Sequence, residues 1–243
     1  QAEEFLSHLA IVGEISRTSQ KQAINAIFHL MQDTLAIDLG QLEILAAENI
    51  KKTEPKALSS EECLKLLRHC RGHTKVISQT LYSTGMRISE LVNLRISNIN
   101  LDESLLYIPG ARFERIERVV PISTSLALLL KKHLEQIKQL WIDDTKNESL
   151  GGVMLSPEVL KDQPDAPYLW EHQWLFPSKT PEIDPRTGAK HRHHIQTATL
   201  RQSIKKVALE ASITKQVTPS ILRKSFTKHM TTKGIQPSNL NTI

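Results

Sequence analysis

The sequence predicts a mainly α-helical protein with a small antiparallel β-sheet, organised in two domains. Apolar residues recur at helical spacing along most of the 243-residue chain. Two short segments, residues 105–108 and 119–122, have the apolar, β-branched composition of a hairpin. A polar stretch containing a proline, residues 52–57, separates a helical segment (residues 1–51) from a larger one (residues 58–243). We therefore expect two domains joined by a short linker.

The composition restricts the possible classes of function. Hydrophobic residues make up 40% of the chain and charged residues 23%, which is ordinary for a soluble globular protein. The net charge of +5 weakly favours a polyanionic partner. No apolar run approaches the ~20 residues that a membrane-spanning helix needs, and the N-terminus lacks a signal-peptide pattern. We expect a cytoplasmic protein without a membrane role.

In the first domain, apolar residues form two helical stripes, and a third short helix is predicted from Leu42 to Ala47. The two stripes consist of Phe5, Leu6 and Leu9, and of Ala23, Ile27, Leu30 and Met31.

The second domain begins at a capping box, in which Ser59 and Glu62 each satisfy a backbone N–H of the other. The following helix carries both cysteines, Cys63 and Cys70, seven residues apart. They would lie roughly 10 Å apart along the helix axis, too far for a disulfide. We expect reduced, buried thiols and no metal site.

The next helix is interrupted at Thr84-Gly85 and resumes at Ile88. Glycine tolerates the bend, which would hold Arg87 between two packed helices. A guanidinium fixed there has a planar fork suited to a phosphate or a carboxylate. The alternative is a helix-capping arginine that is paired only with Glu90, three residues on.

Beyond the predicted hairpin, an amphipathic helix is predicted from Ser125 to Leu140. Its inward-facing residues are Leu126, Leu129, Leu130 and Leu134. Residues 143–182 are predicted to be irregular, and the chain then becomes basic from residue 186 to 206. A last helix is capped by Thr218, with Pro219 at its first position, and ends at Gly234.

Three segments carry a resemblance to a known family. Residues 84–91, Thr-Gly-Met-Arg-Ile-Ser-Glu-Leu, with residues 94–99 after them, resemble the first active-site box of the tyrosine recombinases, the phage integrase family. Residues 218–226, Thr-Pro-Ser-Ile-Leu-Arg-Lys-Ser-Phe, are similar to its His-x-x-Arg box. Residues 174–177, 184–188 and 192–194 resemble the insertion that marks integron integrases. The chain is identified as a member of this family, of integron-integrase type.

The resemblance implies a SAM-like helical core-binding domain, partial here, over residues 1–51. It implies a catalytic domain over residues 58–243, with the integron-type insertion at about 150–195. The chain begins at Gln1 rather than Met and ends soon after a predicted helix start at Pro237. We therefore expect both ends to be truncated. DNA is the expected partner, assembly on DNA as a tetramer is expected from the family, and no cofactor is expected.

The resemblance also implies roles in catalysis. In the family a tyrosine attacks a DNA phosphodiester, and charge builds up on the non-bridging oxygens. Arg87 and Arg223 match the two family arginines that stabilise this charge. Glu90 matches the acidic residue of the first box, with an orienting role.

The family pattern is incomplete at three places. Ala111 stands where the family lysine is expected, with Arg112 next to it as a substitute charge that donates protons poorly. Ser220 replaces the histidine of the second box and retains hydrogen bonding without the charge. No tyrosine follows Arg223; the only three are Tyr82, Tyr107 and Tyr168. We expect this chain not to cleave DNA.

In integron integrases the insertion recognises bases flipped out of a folded single-stranded hairpin site. Flat side chains stack on such bases while cations hold the phosphates. The stacking candidates are Trp174, Pro185, His193 and His194, with Trp170 and His172 as weaker ones, and the phosphate-binding candidates are Arg186, Arg192 and Lys224. The alternatives are a buried Trp174, a solvated basic loop, and a metal site at His191, His193 and His194.

The favoured function is therefore a site-specific recombinase of integron-integrase type, in a chain without the nucleophile. One alternative is a DNA-binding remnant that occupies recombination sites without cutting them. Another is an ordinary phage-type integrase on double-stranded DNA, in which residues 143–195 would be dispensable.

Overall fold

A computed structural model describes residue 8 and residues 17–36, 56–110, 116–185 and 188–235. The chain forms two compact units, Gln1–Glu54 and Pro55–Ile243. The second is called the C-terminal unit below. The predicted fold class, mainly helical with a small antiparallel sheet, is confirmed.

The described part of the first unit is helical. Helix α1 (Arg17–Phe28) continues into a π-helical segment over His29–Thr34. The second predicted stripe, which starts at Ala23, falls in this stretch. The first stripe and the helix predicted at 42–47 lie outside the described residues.

Helix α2 (Ser60–His69) opens the C-terminal unit with the predicted capping box. The Glu62 N–H donates to the Ser59 Oγ over 3.1 Å, and the Ser59 N–H donates to a Glu62 carboxylate oxygen over 2.7 Å. Cys63 and Cys70 are buried, free thiols, as expected. Burial raises the pKa of the Cys63 thiol to about 11, so it stays protonated at neutral pH.

Helices α3 (Gly72–Thr84) and α4 (Ile88–Val92) are separated by the predicted bend. Gly85 has a left-handed backbone with φ 63° and closes α3. A Cβ atom there would lie 2.4 Å from the ring of Phe226 on helix α8 (Pro219–Thr232). The missing side chain therefore allows α8 to pack against the end of α3.

The sheet has the order β1-β2-β3 and is antiparallel. Its strands are β1 (Ile99–Asn100), β2 (Leu105–Pro109) and β3 (Ile116–Pro121). The hairpin predicted at 105–108 and 119–122 is formed, with the second strand starting earlier than expected. Arg118 pairs with Ile108 in the register and shares its inward face.

Helix α5 (Thr124–Thr145) runs one turn and more beyond the predicted end at Leu140. The extension is held by Trp141, whose Nε1–H donates to the Tyr168 carbonyl over 2.8 Å. The Trp141 ring also packs 5.4 Å from Trp170, centroid to centroid. These contacts come from distant residues, so the local sequence did not indicate them.

The stretch predicted to be irregular contains short elements. They are helix α6 (Pro157–Asp162) and 3₁₀ turns at Ala166–Tyr168 and Trp170–His172. Strands β4 (Glu182–Ile183) and β5 (Lys190–His191) follow at its end and beyond it, and they pair antiparallel. The Leu175 N–H donates to the Leu94 carbonyl over 2.8 Å, which joins this stretch to the core. Helix α7 (Thr197–Glu210) follows.

Helix α8 begins as predicted, with the Thr218 side chain accepting from the Ile221 N–H and Pro219 in the first turn. It ends at Thr232, two residues before Gly234. The Ser225 Oγ, inside this helix, accepts the Leu58 N–H over 2.9 Å and is fully buried. Over the described ranges, we find no helix long and apolar enough to cross a membrane.

A buried histidine in α5 should make stability depend on pH. His133 is 2% exposed, and its Nε2–H donates to the Leu175 carbonyl over 2.8 Å. Its Nδ1 has no hydrogen-bond partner among the described residues. Protonation would bury an unpaired N–H and a charge, and burial lowers the pKa of His133 to about 4.

Because the folded pKa lies below the unfolded one, the unfolded chain binds the proton more readily between pH 6.5 and pH 4. We expect this residue to cost about 2 kcal/mol of stability at pH 5 relative to pH 7. Urea unfolding of the chain and of the His133→Gln variant at both pH values would measure this. Gln keeps a donor for Leu175, so equal pH dependence in the two proteins would contradict the prediction.

Candidate active site

A cleft of about 820 Å³ lies where the start of α4 meets the start of α8. Its lining residues are mostly small, hydroxylated or cationic. They include Gly85, Arg87, Ser89, Ser220, Arg223 and Lys224. The structure therefore brings together two segments more than a hundred residues apart in the sequence, as the two boxes of the resemblance imply.

Arg87 precedes α4, and its side chain is 55% exposed at the cleft. Its Nη1 donates to Glu90 Oε1 over 2.9 Å, and its backbone N–H donates to Glu90 Oε2 over 2.5 Å. The pairing with Glu90 that the local sequence offered as an alternative is thus present. This pairing uses one nitrogen of the Arg87 guanidinium, and the rest of the side chain stays exposed at the cleft.

Arg118, on β3, is a member of the site that the sequence reasoning missed. Its Nη1 and Nη2 donate to Glu90 Oε1 and Oε2 over 3.1 and 2.8 Å, a bidentate pair. Both side chains are 11% exposed. The sequence did contain a sign of this role, because an arginine on the inward face of a strand needs a buried acidic partner.

The charges of Arg87, Glu90, Arg118 and Arg223 shift the pKa values of Glu90 and Arg223. Burial alone would raise the pKa of Glu90, but hydrogen bonds from Arg118 and Arg87 outweigh it and hold the pKa below its ordinary value. The pKa of Arg223 is lowered by burial first and then by the positive charges of Arg87 and Arg118. Arg87 and Arg118 share the carboxylate of Glu90, and the charges of all three act on the nearby Arg223. One carboxylate among three guanidinium groups leaves the cleft positively charged and suited to an anion.

The first turn of α8 faces the same cleft. Ser220 is exposed one turn before Arg223, and Lys224 lines the cleft beside them. A helix N-terminus adds a favourable potential for an anion. The chain thus presents two arginines, a hydroxyl and a helix N-terminus to one space. Ala111, Arg112 and Arg186 lie outside the described residues.

The three tyrosines line no part of the cleft that the described residues form. The Tyr82 hydroxyl is hydrogen-bonded to His229 Nδ1 over 2.8 Å, and burial, with the neighbouring Cys63, raises the pKa of Tyr82 to about 12. The Tyr107 hydroxyl donates to Glu103 over 3.2 Å. Tyr168 is exposed near the end of α5.

Trp174 lies inside the protein rather than on its surface, with 9% of the residue exposed. The Arg95 guanidinium carbon lies 3.1 Å from the centre of its ring, and His194 packs edge-on at 5.1 Å. Arg95 also donates to the carbonyls of His172 and Met154. Burial lowers the pKa of Arg95 to about 9. In this structure the indole is packed between Arg95 and His194, which matches the alternative of a buried Trp174.

Arg192 also serves as an anchor. Its Nε and Nη2 donate to the carboxylate of Asp144 at the end of α5, the latter over 2.7 Å. Its Nη1 donates to the carbonyls of Ser178 and Lys179 over 2.9 and 2.8 Å. With its guanidinium occupied in this way, the side chain links the loop at Ser178 and Lys179 to the end of α5.

The remaining candidates lie at the β4–β5 hairpin and after it. Pro185 is exposed at the turn, and His193 and His194 are half-buried. His191 packs on Gly151, where an added Cβ would lie 2.6 Å from the imidazole ring. Within the described ranges, no group of three or more His, Cys, Asp or Glu residues is placed to hold a metal ion.

Comparison with known proteins decides the family. The sequence pattern described as "Phage integrase family" matches residues 56–243. The chain belongs to the phage integrase family. It is 30% identical over 234 residues to proteins named "Integrase/recombinase" from Escherichia coli and Pseudomonas aeruginosa, covering 96% of this chain and 69% of theirs. It is 26% identical over 197 residues to "Tyrosine recombinase XerA" from Pyrococcus horikoshii, covering 81% of this chain and 54% of that one.

Solved structures of phage integrase family members share the fold. A crystal structure of XerA recombinase matches 98% of this chain and 70% of its own, with a TM-score of 0.53 at 23% identity. The Tn1549 transposon integrase in complex with circular intermediate DNA matches 98% and 74%, with a TM-score of 0.61 at 14% identity. Membership in the family supports site-specific DNA recombination of the tyrosine recombinase type.

Proposed function

We propose that this chain is the DNA-binding and phosphate-binding part of a tyrosine recombinase of integron-integrase type. Its expected partner is a folded single-stranded DNA hairpin. The observation that carries the proposal is the positively charged cleft between α4 and α8, where Arg87 and Arg223 share a space with Ser220. DNA as partner is further supported by the complexes with DNA among the similar structures.

The cleft would hold one DNA phosphodiester. Arg87 and Arg223 would each direct guanidinium N–H groups at the non-bridging oxygens, and the Ser220 hydroxyl would donate a further hydrogen bond. Glu90 would keep Arg87 oriented and would not bind the phosphate itself, because its oxygens accept from Arg87 and Arg118. The same arrangement would stabilise charge developing on the phosphate during strand exchange.

These 243 residues would bind the phosphodiester without cleaving it. None of the described residues at the cleft is a tyrosine, and Tyr82 is held by His229 with its pKa raised to about 12. A nucleophile with such a pKa is almost entirely protonated near neutral pH. A DNA-binding role fits both an incomplete recombinase and a remnant that occupies recombination sites.

The insertion at about 150–195 would recognise an extrahelical base. Arg192 and the Arg95–Trp174 stack join this protein segment to the rest of the C-terminal unit and so hold the β4–β5 hairpin in place. Pro185 and His193 would then present flat surfaces for stacking.

Residues 1–51 would form the partial core-binding domain and residues 58–243 the catalytic domain, with four copies assembling on DNA.

The test measures affinity for a DNA hairpin with one bulged base and for the same hairpin without the bulge, over a range of salt concentrations. Arg223→Met should weaken both complexes equally and reduce the salt slope by about one. His193→Ala should weaken only the bulged complex, by about 1–3 kcal/mol.

Lys131→Met is the matched control, since Lys131 lies on an exposed face of α5 and should leave both affinities nearly unchanged. If Arg223→Met left the affinity and the salt slope unchanged, the proposed phosphate site would be wrong. If His193→Ala weakened neither complex, or both equally, the integron-type part of the proposal would fail. A phage-type integrase on double-stranded DNA would then be favoured.

A further inference from the structure

We propose that Arg118 is a positioning residue, which occupies the carboxylate of Glu90 so that Arg87 keeps most of its guanidinium for a DNA phosphate. This inference rests on the proposed function for its consequence but can be tested without DNA. Arg118 lies on β3, outside both sequence boxes, and the family resemblance gave it no role.

The two oxygens of Glu90 have four donors around them. Oε1 accepts from Nη1 of Arg118 and Nη1 of Arg87, over 3.1 and 2.9 Å. Oε2 accepts from Nη2 of Arg118 and from the backbone N–H of Arg87, over 2.8 and 2.5 Å. Arg118 therefore holds the favoured bidentate position, and the Arg87 side chain makes a single contact.

The exposure of the two arginines separates their roles. Arg118 and Glu90 are each 11% exposed, whereas the Arg87 side chain is 55% exposed and borders the cleft. A buried bidentate pair fixes the orientation of the carboxylate, since both side chains lose freedom together. Arg118 is thus placed to act on a bound phosphate through Glu90 and Arg87.

Removal of Arg118 would free the bidentate position on Glu90. Arg87 is the N-cap residue of α4, three positions before Glu90, and would turn its fork onto the vacated oxygens. Its guanidinium would then be both neutralised and occupied. Arg118→Met would consequently weaken phosphate binding by more than the loss of one distant charge.

The first experiment measures how fast phenylglyoxal, an arginine-specific reagent, labels Arg87, by peptide mass spectrometry of the full chain. Arg68, exposed on α2, is the internal reference. In the Arg118→Met variant we expect Arg87 to be labelled about tenfold more slowly relative to Arg68, as a bidentate ion pair protects it. Arg118→Gln is a second variant, in case the first fails to fold.

The decisive control is the double variant Arg118→Met/Glu90→Gln. Without a carboxylate, Arg87 has no partner to turn to, so its labelling should return to the rate of the unmodified chain. Arg118→Lys should not restore the rate, because an ammonium group cannot make the bidentate pair. Normal labelling of Arg87 in both Arg118→Met and Arg118→Gln would overturn the proposal, as would slow labelling that Glu90→Gln does not reverse.

The same labelling with the bulged DNA hairpin present separates this inference from the proposed function. In the unmodified chain, DNA should protect Arg87 and leave Arg68 unaffected. Protection in Arg118→Met should require about tenfold more DNA. If DNA fails to protect Arg87 in the unmodified chain, the phosphate site is wrong, while the DNA-free rates still decide whether Arg118 positions Arg87.

Discussion

Glu90→Ala is expected to lower the free energy of unfolding of the C-terminal unit by about 3–5 kcal/mol. The carboxylate is the partner of Arg118 in a bidentate pair in which both groups are 11% exposed. Its loss leaves the guanidinium of Arg118 buried without a compensating charge, close to the two further arginines of the cleft. The desolvation cost of that charge then remains without the attraction that offset it.

Chemical denaturation of the chain and the variant measures this loss. The matched control is Glu62→Ala, which removes an ion pair to Lys215 that is 28–36% exposed and 2.7 Å long. We expect the control to cost only about 1 kcal/mol, although it also removes half of a capping box. Similar losses in the two variants would show that the Glu90 pair is no more than a surface ion pair.

Gly85→Ala is expected to lower the free energy of unfolding by about 2–5 kcal/mol. The left-handed backbone, with φ 63°, costs a residue with a Cβ about 1–2 kcal/mol. The new Cβ would lie 2.4 Å from Phe226 Cδ1, so α8 would have to move away from α3 or the ring would have to leave its position. Because α8 carries Arg223, we also expect weaker DNA binding.

Thermal or urea unfolding of two variants separates the backbone cost from the packing cost. Gly72 also has a positive φ, 50°, but an added Cβ there meets no atom within 4 Å. Gly72→Ala should therefore cost only about 1–2 kcal/mol. The double variant Gly85→Ala/Phe226→Ala should lose less than the sum of its single changes, since the overlap is gone. Additive losses would rule out the clash as the cause.

Features set by neighbouring residues were predictable from the sequence. The capping box at Ser59 and Glu62, the start of α8 at Thr218 and Pro219, and the bend at Gly85 are all confirmed. Each depends on hydrogen bonds or backbone angles within a few residues, which residue type largely decides. The hairpin of β2 and β3 was likewise visible in the composition of its strands.

Features set by distant residues were not predictable in this way. Arg118 meets Glu90 across 28 residues, and Arg192 meets Asp144 across 48 residues. Which arginines would face DNA and which would be used inside the protein depends on these pairings. Trp174 shows the same limit, because its partner Arg95 lies in a different element. The length of α5 was missed for this reason too, since Tyr168 and Trp170 hold its last turn.

The way the segment at residues 150–195 is held against the rest of the C-terminal unit has a consequence for engineering and for divergence within the family. Arg95 and Arg192 hold its base, whereas the β4–β5 turn closes on itself through the Gly188 N–H and the Asp184 carbonyl over 2.8 Å. Exposed turns of this kind tolerate changes in length and sequence. Under the proposed function, grafting turns between Asp184 and Gly188 should exchange the target preference and leave the contacts of Arg95 and Arg192 and the phosphate cleft unchanged.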